Sequence, residues 1–340
     1  MDFKEKIIST IKNNNLIENG DKIVLGVSGG PDSISMLNAL YTIMQEKSID
    51  DFDIVVAHVN HGLRENAKID EEYVKEYCKK KNIDCHILHA NIKEEAQNLK
   101  RGLEDTGRII RYKFFDEVAK KTGANKIAIA HNTNDRVETI IMNIMRGTGL
   151  EGLKGIEVRN ANIIRPLLFC SRDEIEKYCE AEELNPRYDE SNDQNEYTRN
   201  KIRNIVLPFV KKEFNPNIEE SIIRLSDIAT ESIEWIDIET NKNYEEIVIT
   251  KSSTEIVLNR KIFNSKNKMI QKRVILMAIK ELFGSTQGIE KIHIDDVIKL
   301  CNNNIGNKYL TPNKNTKVEL VDKQIKISKI ENHSAKHRYP

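Results

Sequence analysis

The sequence lacks the features of several protein classes. Its 340 residues include five cysteines and no C-x-x-C pair, which argues against a disulfide framework, a zinc ribbon and a cysteine-ligated cluster. The longest uncharged run, residues 33–45, is shorter than the roughly 20 residues of a membrane span. The N-terminal M-D-F-K-E-K is charged where a signal peptide is apolar. We therefore predict a cytoplasmic protein that does not enter a membrane.

An excess of charge of either sign is also missing, because 53 Lys and Arg balance 53 Asp and Glu. Within this balanced total, two segments carry net charges of opposite sign. Residues 171–196 hold ten acidic and three basic side chains, whereas residues 251–280 hold eight basic and one acidic. The basic segment suits phosphate contacts, and a solvated helix face is the alternative. Its candidate residues are Lys261, Lys266, Lys268, Lys272 and Arg273.

Short β-branched runs alternate with longer helical patterns over the first 170 residues. This alternation predicts an α/β fold, a Rossmann-like doubly wound parallel sheet whose ligand site lies beyond the C-terminal ends of the strands. The predicted strands are 22–27, 52–58, 84–89, 125–131 and 162–168, with helices at about 33–46, 66–82, 102–122 and 133–146.

A second region is predicted after a boundary near residue 210. Residues 211–340 are expected to form a smaller, mainly helical C-terminal domain with short strands. The predicted elements are a helix from about 216, a strand pair near 246–258, helices at 266–283 and 290–301, and strands near 307–328.

The first strand runs directly into the loop S-G-G-P-D-S. Glycines let the backbone approach a ligand, serines supply hydroxyls, and the start of the following helix favours an anion. An acid in a phosphate site indicates a bridging Mg²⁺, and a capped turn is the alternative. The candidate binding residues are Ser28, Gly29, Gly30, Pro31, Asp32 and Ser33, with Asp32 as the predicted metal ligand.

Two other glycine motifs are excluded. No G-x-x-x-x-G-K-[ST] occurs, so a Walker-type nucleotide hydrolase is ruled out. The G-T-G-L-E-G at 147–152 follows a predicted helix, where a dinucleotide fingerprint would follow a strand.

The loop V-S-G-G-P-D-S resembles the pyrophosphate loop of the N-type ATP pyrophosphatases, the PP-loop enzymes that split ATP into AMP and pyrophosphate. Further motifs occur in the order typical of the tRNA(Ile)-lysidine synthetase family, which residues 20–210 resemble and residues 211–330 resemble more weakly. These motifs are A-H-V-N-H-G-L-R (57–64), G-L-E-D-T-G-R-I-I-R-Y (102–112), A-H-N-T-N-D-R-V-E-T (130–139), R-G-T-G-L-E-G-L (146–153), R-P-L-L (165–168), Y-D-E-S-N (188–192) and R-N-K-I-R (199–203).

The resemblance implies an adenine nucleotide alpha hydrolase-like catalytic domain over residues 1–210 and a tRNA-contacting domain over 211–340. It implies a ligase that uses ATP and Mg²⁺ to join free L-lysine to the wobble cytidine of tRNA(Ile) with a CAU anticodon. The reaction passes through an adenylated cytidine, releases AMP and pyrophosphate, and changes codon reading from AUG to AUA. A homodimer is among the expected assemblies.

Two other functions stay open. A sulfur-transferring relative that thiolates tRNA bases would usually need paired cysteines, and the spacings Cys78–Cys85 and Cys170–Cys179 do not suit one. A non-catalytic adenine-nucleotide-binding module would not need so many acids near phosphates.

His131, Asp135 and Glu138 stand at i, i+4 and i+7, so they are predicted to share a face at the start of a helix. Two carboxylates there can hold Mg²⁺ or the ammonium groups of a lysine, and a solvated helix stripe is the alternative. We expect these three residues, with Asp32 and Arg108, to be catalytic, and Glu138 to share the metal with Asp32. The division of roles between Asp135 and Glu138 stays open.

Arg108 and Arg111 share another helix face and suit a phosphate or a departing pyrophosphate. An ion pair between Arg108 and Glu104 is the alternative. His58 and His61 are predicted in the loop after the second strand, where adenine or ribose can pack, rather than in a metal site.

The last motifs predict a loop followed by a helix whose arginines Arg199 and Arg203 form a basic face for the anticodon backbone. Salt bridges to the acidic segment 171–196 are the alternative. The accompanying polar residues are Asp189, Ser191, Asn192 and Asn200.

Overall fold

A computed structural model describes residues 2–62, 67–187, 197–302 and 308–330. The chain divides into two compact units, Met1–Thr230 and Glu231–Pro340. The helices are α1 Phe3–Asn13, α2 Pro31–Gln45, α3 Ala67–Lys81, α4 Ile92–Leu99, α5 Leu103–Thr122, α6 Thr133–Met145, α7 Leu150–Leu153, α8 Arg172–Ala181, α9 Thr198–Lys201, α10 Leu207–Glu213, α11 Ile218–Ile247, α12 Arg260–Ser265, α13 Lys268–Phe283 and α14 Lys291–Asn302, with a π-helical turn at Ile202–Val206. The strands are β1 Asp21–Gly26, β2 Phe52–Asn60, β3 Cys85–His89, β4 Lys126–Ile129, β5 Arg159–Asn160, β6 Ile163–Ile164, β7 Val248–Lys251, β8 Glu255–Asn259, β9 Tyr309–Asn313, β10 Thr316–Val321 and β11 Gln324–Lys329.

The sheet of the first unit has the order β3-β2-β1-β4-β6-β5. All its pairs are parallel except the short pair between β5 and β6. Because β2 and β4 flank β1 on opposite sides, the chain reverses its direction across the sheet between β1 and β4. A topological switch point of this kind leaves a crevice at the carboxyl ends of the two strands, where ligands bind in doubly wound folds. The predicted fold class is confirmed.

Both faces of β1 are buried, which explains its nearly continuous apolar sequence. Ile23 and Leu25 belong to the core that includes residues of α1, α2 and α8, and Val24 belongs to the core formed with α5. At the strand end, a Cβ on Gly26 would lie 2.5 Å from the ring of Phe115. Glycine therefore lets α5 pack closely beside the site.

The predicted strands and helices of the first 160 residues occur within a few residues of their expected positions. The strand predicted at 162–168 is wrong in length, since only Ile163 and Ile164 pair. Pro166 has no N–H to donate to a ladder, so the chain leaves the sheet there. Helix α1 was not predicted, although Asp2 and Glu5 form a capping box at its start.

In the second unit, the predicted strand pair and the predicted C-terminal strands join in one antiparallel sheet, β7-β8-β11-β10-β9. Alternate residues of β10 and β11, such as Val318, Leu320 and Ile325, are buried against α13 and α14. The second unit therefore contains one five-stranded sheet, where only short strands were expected.

The division between the units falls within α11, whereas the boundary expected near 210 precedes that helix. That boundary stays a prediction. None of the helices in the described ranges is long and apolar enough to cross a membrane.

A buried ion pair joins β1 and β4 at the edge of the sheet opposite the switch-point crevice. Lys126 Nζ lies 2.6 Å from Asp21 Oδ2, and the two side chains are 6% and 4% exposed. Burial raises the pKa of Asp21, but Lys126, the amide of Glu18 and Asn125 outweigh it and hold the pKa below its ordinary value. The ammonium therefore compensates a carboxylate that water cannot reach.

We expect Lys126→Ala to lower the free energy of unfolding by about 3–5 kcal/mol, because it leaves the buried Asp21 carboxylate without its cation. Urea denaturation followed by circular dichroism measures the loss. The double variant Lys126→Met with Asp21→Asn should recover most of it, since no buried charge remains. A loss below about 1 kcal/mol in the single variant would contradict this account.

Candidate functional site

The loop between β1 and α2 is held by its own hydroxyl groups. Ser33 Oγ accepts from the amides of Ser28 and Gly29 at 3.1 and 3.2 Å and donates to the carbonyl of Gly30 at 3.0 Å. Gly29 has a φ of +96°, a conformation that favours glycine. Ser33 thus shapes the loop, whereas the sequence suggested that its hydroxyl faces a ligand.

Helix α2 begins directly after this loop, with Gly30 as its N-cap and Pro31 in its first turn. Among the described residues no side chain caps the helix, so its first amides, beside the crevice, have no side-chain acceptor there. Asp32 lies in the same turn. Burial and the neighbouring Asp135 carboxylate raise the pKa of Asp32 to about 6, although Asn132 and two arginines oppose the shift. An acid placed here favours a nearby cation.

Asn132 joins the starts of α2 and α6, and sequence reasoning missed it. Its Nδ2 donates to Asp32 Oδ1 at 3.0 Å, and its Oδ1 accepts from the amide of Asp135 at 3.0 Å. Asp135 Oδ2 accepts in return from the amide of Asn132 at 2.9 Å. The signal that could have revealed it is the capping box N-x-x-D, which places a capping side chain before the helix.

His131 precedes the N-cap of α6, so it does not continue the helix face of Asp135 and Glu138 as the spacing suggested. Arg165 Nε donates to His131 Nδ1 at 3.1 Å. Burial and the surrounding arginines lower the pKa of His131 to about 3. The imidazole is therefore neutral, with its hydrogen on Nε2, and can donate one hydrogen bond.

Asp135 and Glu138 pair with the two arginines of the last motif. Arg199 donates from Nη2 to Asp135 Oδ1 and from Nε to Glu138 Oε2, both at 2.7 Å. Arg203 donates from Nε to Glu138 Oε1 at 2.6 Å and from Nη2 to Glu138 Oε2 at 3.1 Å. The sequence suggested two partners for these arginines, the anticodon backbone and the acidic segment 171–196. Asp135 and Glu138 belong to neither.

The local sequence explains why these arginines face α6. They lie four residues apart and so share one side of the helix, while Ile202 between them is buried with Val137 and Ile140 of α6. Pro208 has no amide hydrogen for the carbonyl four residues earlier, and the chain forms a π-helical turn at Ile202–Val206.

β2 extends to Asn60, two residues beyond the predicted strand end, so His58 lies within the strand and its placement in the following loop is wrong. Its Nδ1 lies 2.9 Å from the carbonyl oxygen of Val27. A carbonyl only accepts, so Nδ1 carries the hydrogen. Burial lowers the pKa of His58 and keeps it neutral. Its Nε2 is buried without a partner among the described residues and can accept from a ligand hydroxyl or amine.

Arg108 and Arg111 differ in their position on α5. Arg111 and Glu104 line the crevice, whereas Arg108 is not among the described residues that line it. The Arg108 guanidinium lies 5.6 Å from the centre of the Tyr112 ring. In the described structure Arg108 and Glu104 form no ion pair, so that alternative is not observed.

The crevice is a cavity of about 470 Å³ at the switch point between β1 and β4. This volume is typical of small-molecule sites. Its wall contains both phosphate-binding and amine-binding chemistry. The charged residues lining it are Asp32, Asp70, Glu104, Asp135, Arg111, Arg172, Arg187, Arg199 and Arg203, and the imidazoles are His58, His61 and His131.

The described residues contain no group of three His, Cys, Asp or Glu side chains that could hold a metal alone. Mg²⁺ is usually held by one or two carboxylates together with substrate phosphates. Asp32 beside the loop amides fits that arrangement. Glu138 has both carboxylate oxygens bonded to arginines, so its role as a second metal ligand stays a prediction.

The remaining candidate residues either do not line the cavity or belong to a part of the chain that the structure does not describe. Asp189, Ser191 and Asn192 fall in the segment that is not described. All five cysteines are free, and none is among the described lining residues.

Three of the five candidate basic residues of the second unit form ion pairs. Lys266 pairs with Glu246 and Lys272 with Asp295, both at 2.6 Å, and Arg273 lies 3.7 Å from Asp237. Lys261 and Lys268 form no ion pair within the residues that the structure describes. This arrangement favours the solvated helix face over a dense phosphate-binding surface.

The sequence matches the profile of the PP-loop domain over residues 2–210. It is 42% identical over 309 residues to a tRNA(Ile)-lysidine synthase of Clostridioides difficile, covering 90% of this chain and 66% of that protein. It is 40% identical over 344 residues to one of Clostridium perfringens, covering 97% and 72%. The chain thus spans about two thirds of the length of these curated relatives.

The fold is similar to that of the U34-tRNA thiolase NcsA from Methanococcus maripaludis, with a TM-score of 0.54. The two chains are 23% identical, and the similarity covers 67% of this chain and 78% of the thiolase. At that identity the similarity concerns the fold alone.

We expect Asn132→Ala to lower the free energy of unfolding by about 1–2 kcal/mol, because α6 loses its N-cap. Asn132→Ser is the matched control, since serine also caps helices but is too short to reach Asp32. Urea denaturation of both variants separates the cap from the contact with Asp32. Equal losses in the two variants would contradict the capping role.

Proposed function

The chain belongs to the tRNA(Ile)-lysidine synthases of the PP-loop family, and we propose that it joins free L-lysine to the wobble cytidine of tRNA(Ile) with a CAU anticodon. The observation that carries the proposal is one cavity whose wall combines a phosphate loop, an acid for Mg²⁺ and the carboxylate of Asp135, which suits an amine. Its cofactors are ATP and Mg²⁺.

The reaction has two steps, each of which forms one bond and breaks another. The cytosine O2 attacks the α-phosphorus of ATP, which forms an O2-adenylate and releases pyrophosphate. The ε-amine of lysine then attacks C2, which forms the C–N bond and breaks the bond to the AMP oxygen. The amine loses its protons to the surroundings. The modified base reads AUA where the unmodified anticodon reads AUG.

In this proposal the phosphates of ATP lie against the loop and bind the amides of the first turn of α2, which no described side chain caps. Asp32 is the residue that holds Mg²⁺, which neutralises phosphate charge when it is bound. Arg111 stabilises the pyrophosphate as it leaves. Its neighbour Arg108 keeps the same predicted role from outside the described cavity wall.

The adenosine end of ATP lies near β2. His58 presents a buried acceptor at Nε2, which suits a ribose hydroxyl or the adenine amine rather than a phosphate oxygen. At the other end of the cavity, the Nε2–H of His131 can donate to an oxygen of the reacting base or phosphate. Asp135 and Glu138 receive the ammonium of lysine.

Sulfur transfer is less well supported. The thiolase shares the fold, but the five free cysteines do not line the described part of the cavity. The assignment of tRNA contacts to residues 211–340, a homodimer and a cytoplasmic location also stay predictions.

The direct test incubates the protein with ATP, Mg²⁺, lysine and a CAU-anticodon tRNA(Ile) transcript, then digests the RNA for nucleoside mass analysis. We expect a lysine-sized mass gain on cytidine and stoichiometric AMP. A transcript with uridine at the wobble position is the control. Absence of modified cytidine, with folded protein that binds ATP, would refute the proposal.

We expect Asp32→Asn to reduce tRNA-dependent AMP release by about 100-fold or more, because the acid that holds the cation on the phosphates is lost. Asp173→Asn is the matched control, since Asp173 is exposed and pairs with Lys177 at 2.7 Å. Quantifying AMP from radiolabelled ATP measures both variants. A normal rate for Asp32→Asn would show that its carboxylate is not required.

We expect His58→Phe to weaken ATP binding by about 10-fold, since a hydrogen bond to a buried acceptor is lost. Isothermal titration with ATP, 2′-deoxyATP, 3′-deoxyATP and purine riboside triphosphate identifies the partner. The variant should lose no affinity for the one analogue that lacks the donor bonded by Nε2. Equal losses for all four nucleotides would contradict an acceptor role.

A further inference from the structure

The two carboxylates at the start of α6, Asp135 and Glu138, are already bound to cations. Asp135 Oδ1 and both oxygens of Glu138 accept from Arg199 or Arg203 at 2.6–2.7 Å. The remaining oxygen of Asp135 accepts from the amide of Asn132. No oxygen of this pair is therefore without a hydrogen-bond donor.

The arginines also separate Glu138 from the cavity. Glu138 is 1% exposed and is not among the described residues that line the cavity, whereas both arginines line it. The Arg199 and Arg203 side chains are 28% and 26% exposed. An amine in the cavity can reach Glu138 only where a guanidinium has moved aside.

A guanidinium and an alkylammonium compete for the same partners. Both are cations that donate several hydrogen bonds to carboxylates, and neither can accept one. Two arginines balance the two carboxylates in charge. An added ammonium would leave the cluster with an excess positive charge in a poorly solvated place, which is unfavourable. Replacement of one cation by another keeps the balance.

The backbone that carries the arginines is anchored. Ile202 and Leu207 are 1% and 4% exposed and pack with Val137 and Ile140 of α6. The partly exposed side chains can rotate into the cavity without a change in this packing. Release of one guanidinium then also supplies a cation for a phosphate or for the carboxylate of an amino acid.

We define the amine seat as the carboxylate oxygens of Asp135 and Glu138. We propose that Arg199 and Arg203 form an arginine latch that occupies this seat, so that lysine binds only by displacing a guanidinium. This inference rests on the proposed function, because it takes lysine as the amine substrate. The latch lowers the apparent affinity for lysine by the fraction of molecules in which the seat is open. It also excludes cations whose hydrogen bonds to Asp135 and Glu138 are weaker than those of the guanidinium they would replace.

The test measures L-lysine binding to nucleotide-free protein by isothermal titration calorimetry. Arg199→Gln removes the guanidinium bonded to Asp135 Oδ1, while Arg203 still pairs with Glu138 and its Nη2 lies 3.6 Å from Asp135 Oδ1. We expect the dissociation constant for lysine to fall about 10-fold, as for a seat that is closed nine times in ten in the wild type. Norleucine, which lacks the ε-ammonium, should show no gain.

Arg187→Gln is the matched control for net charge. Arg187 also lines the cavity, but its guanidinium lies against the Tyr73 ring, 5.7 Å from the ring centre. This variant should change the lysine dissociation constant less than about twofold if displacement, and not the summed charge of the cavity, limits binding. An equal gain in Arg187→Gln would overturn the latch.

Arg199→Lys keeps the charge and guards against a folding defect. A lysine cannot form the two-pronged contact of Arg199, so it should be displaced more easily and strengthen lysine binding by a smaller factor. Unchanged or weaker lysine binding in folded Arg199→Gln and Arg199→Lys would overturn the proposal. So would a lack of lysine binding in every form, whereas the nucleoside assay decides separately whether the chain makes lysidine.

Discussion

The switch point between β1 and β4 is the constraint on which the site depends. Parallel neighbours end at one edge of the sheet, so the helices that follow them, α2 and α6, begin side by side. The hydrogen bond of 3.0 Å between Asn132 and Asp32 joins the two helix starts. Through this bond the capping of α6 fixes the acid of the phosphate loop, and helix formation and ligand binding share the same residues.

This convergence has an electrostatic consequence. The two helix N-termini bring partial positive charge to one place, and the first amides of α2 have no side-chain cap among the described residues, which together favour phosphates. Asp32 and Asp135 meet there as well, and their mutual repulsion, after burial, raises the pKa of Asp32. Such a site is incomplete without a cation beside the phosphate. A nucleotide that brings Mg²⁺ satisfies the amides and the acid together.

Local patterns predicted the elements that carry the site, but not the partners of its side chains. The apolar runs of β1 and β2 and the loop S-G-G-P-D-S are continuous in sequence, so periodicity and glycine placement located them. The pairing of Glu138 with Arg199 and Arg203 joins residues about 60 positions apart, and no local signal encodes it. His58 was placed at the boundary of the predicted strand 52–58 and its loop, because a polar residue at the end of a buried strand has the same local pattern as the start of a loop. The strands of the second unit were predicted, but their joining in one sheet was not, since β8 pairs with the distant β11.

Charge counts give the same lesson at two scales. The segment 251–280 has a strong basic excess, yet Lys266 and Lys272 are held by acids of neighbouring elements. In the cavity, Arg199 and Arg203 are held by Asp135 and Glu138. When a ligand binds a side chain that is already paired, the existing ion pair must first break. The free energy lost with that pair cancels much of the free energy gained from the new one. The binding free energy at such sites is therefore the difference between the free energies of two ion pairs. A ligand binds by replacing a partner of like charge rather than by adding a contact.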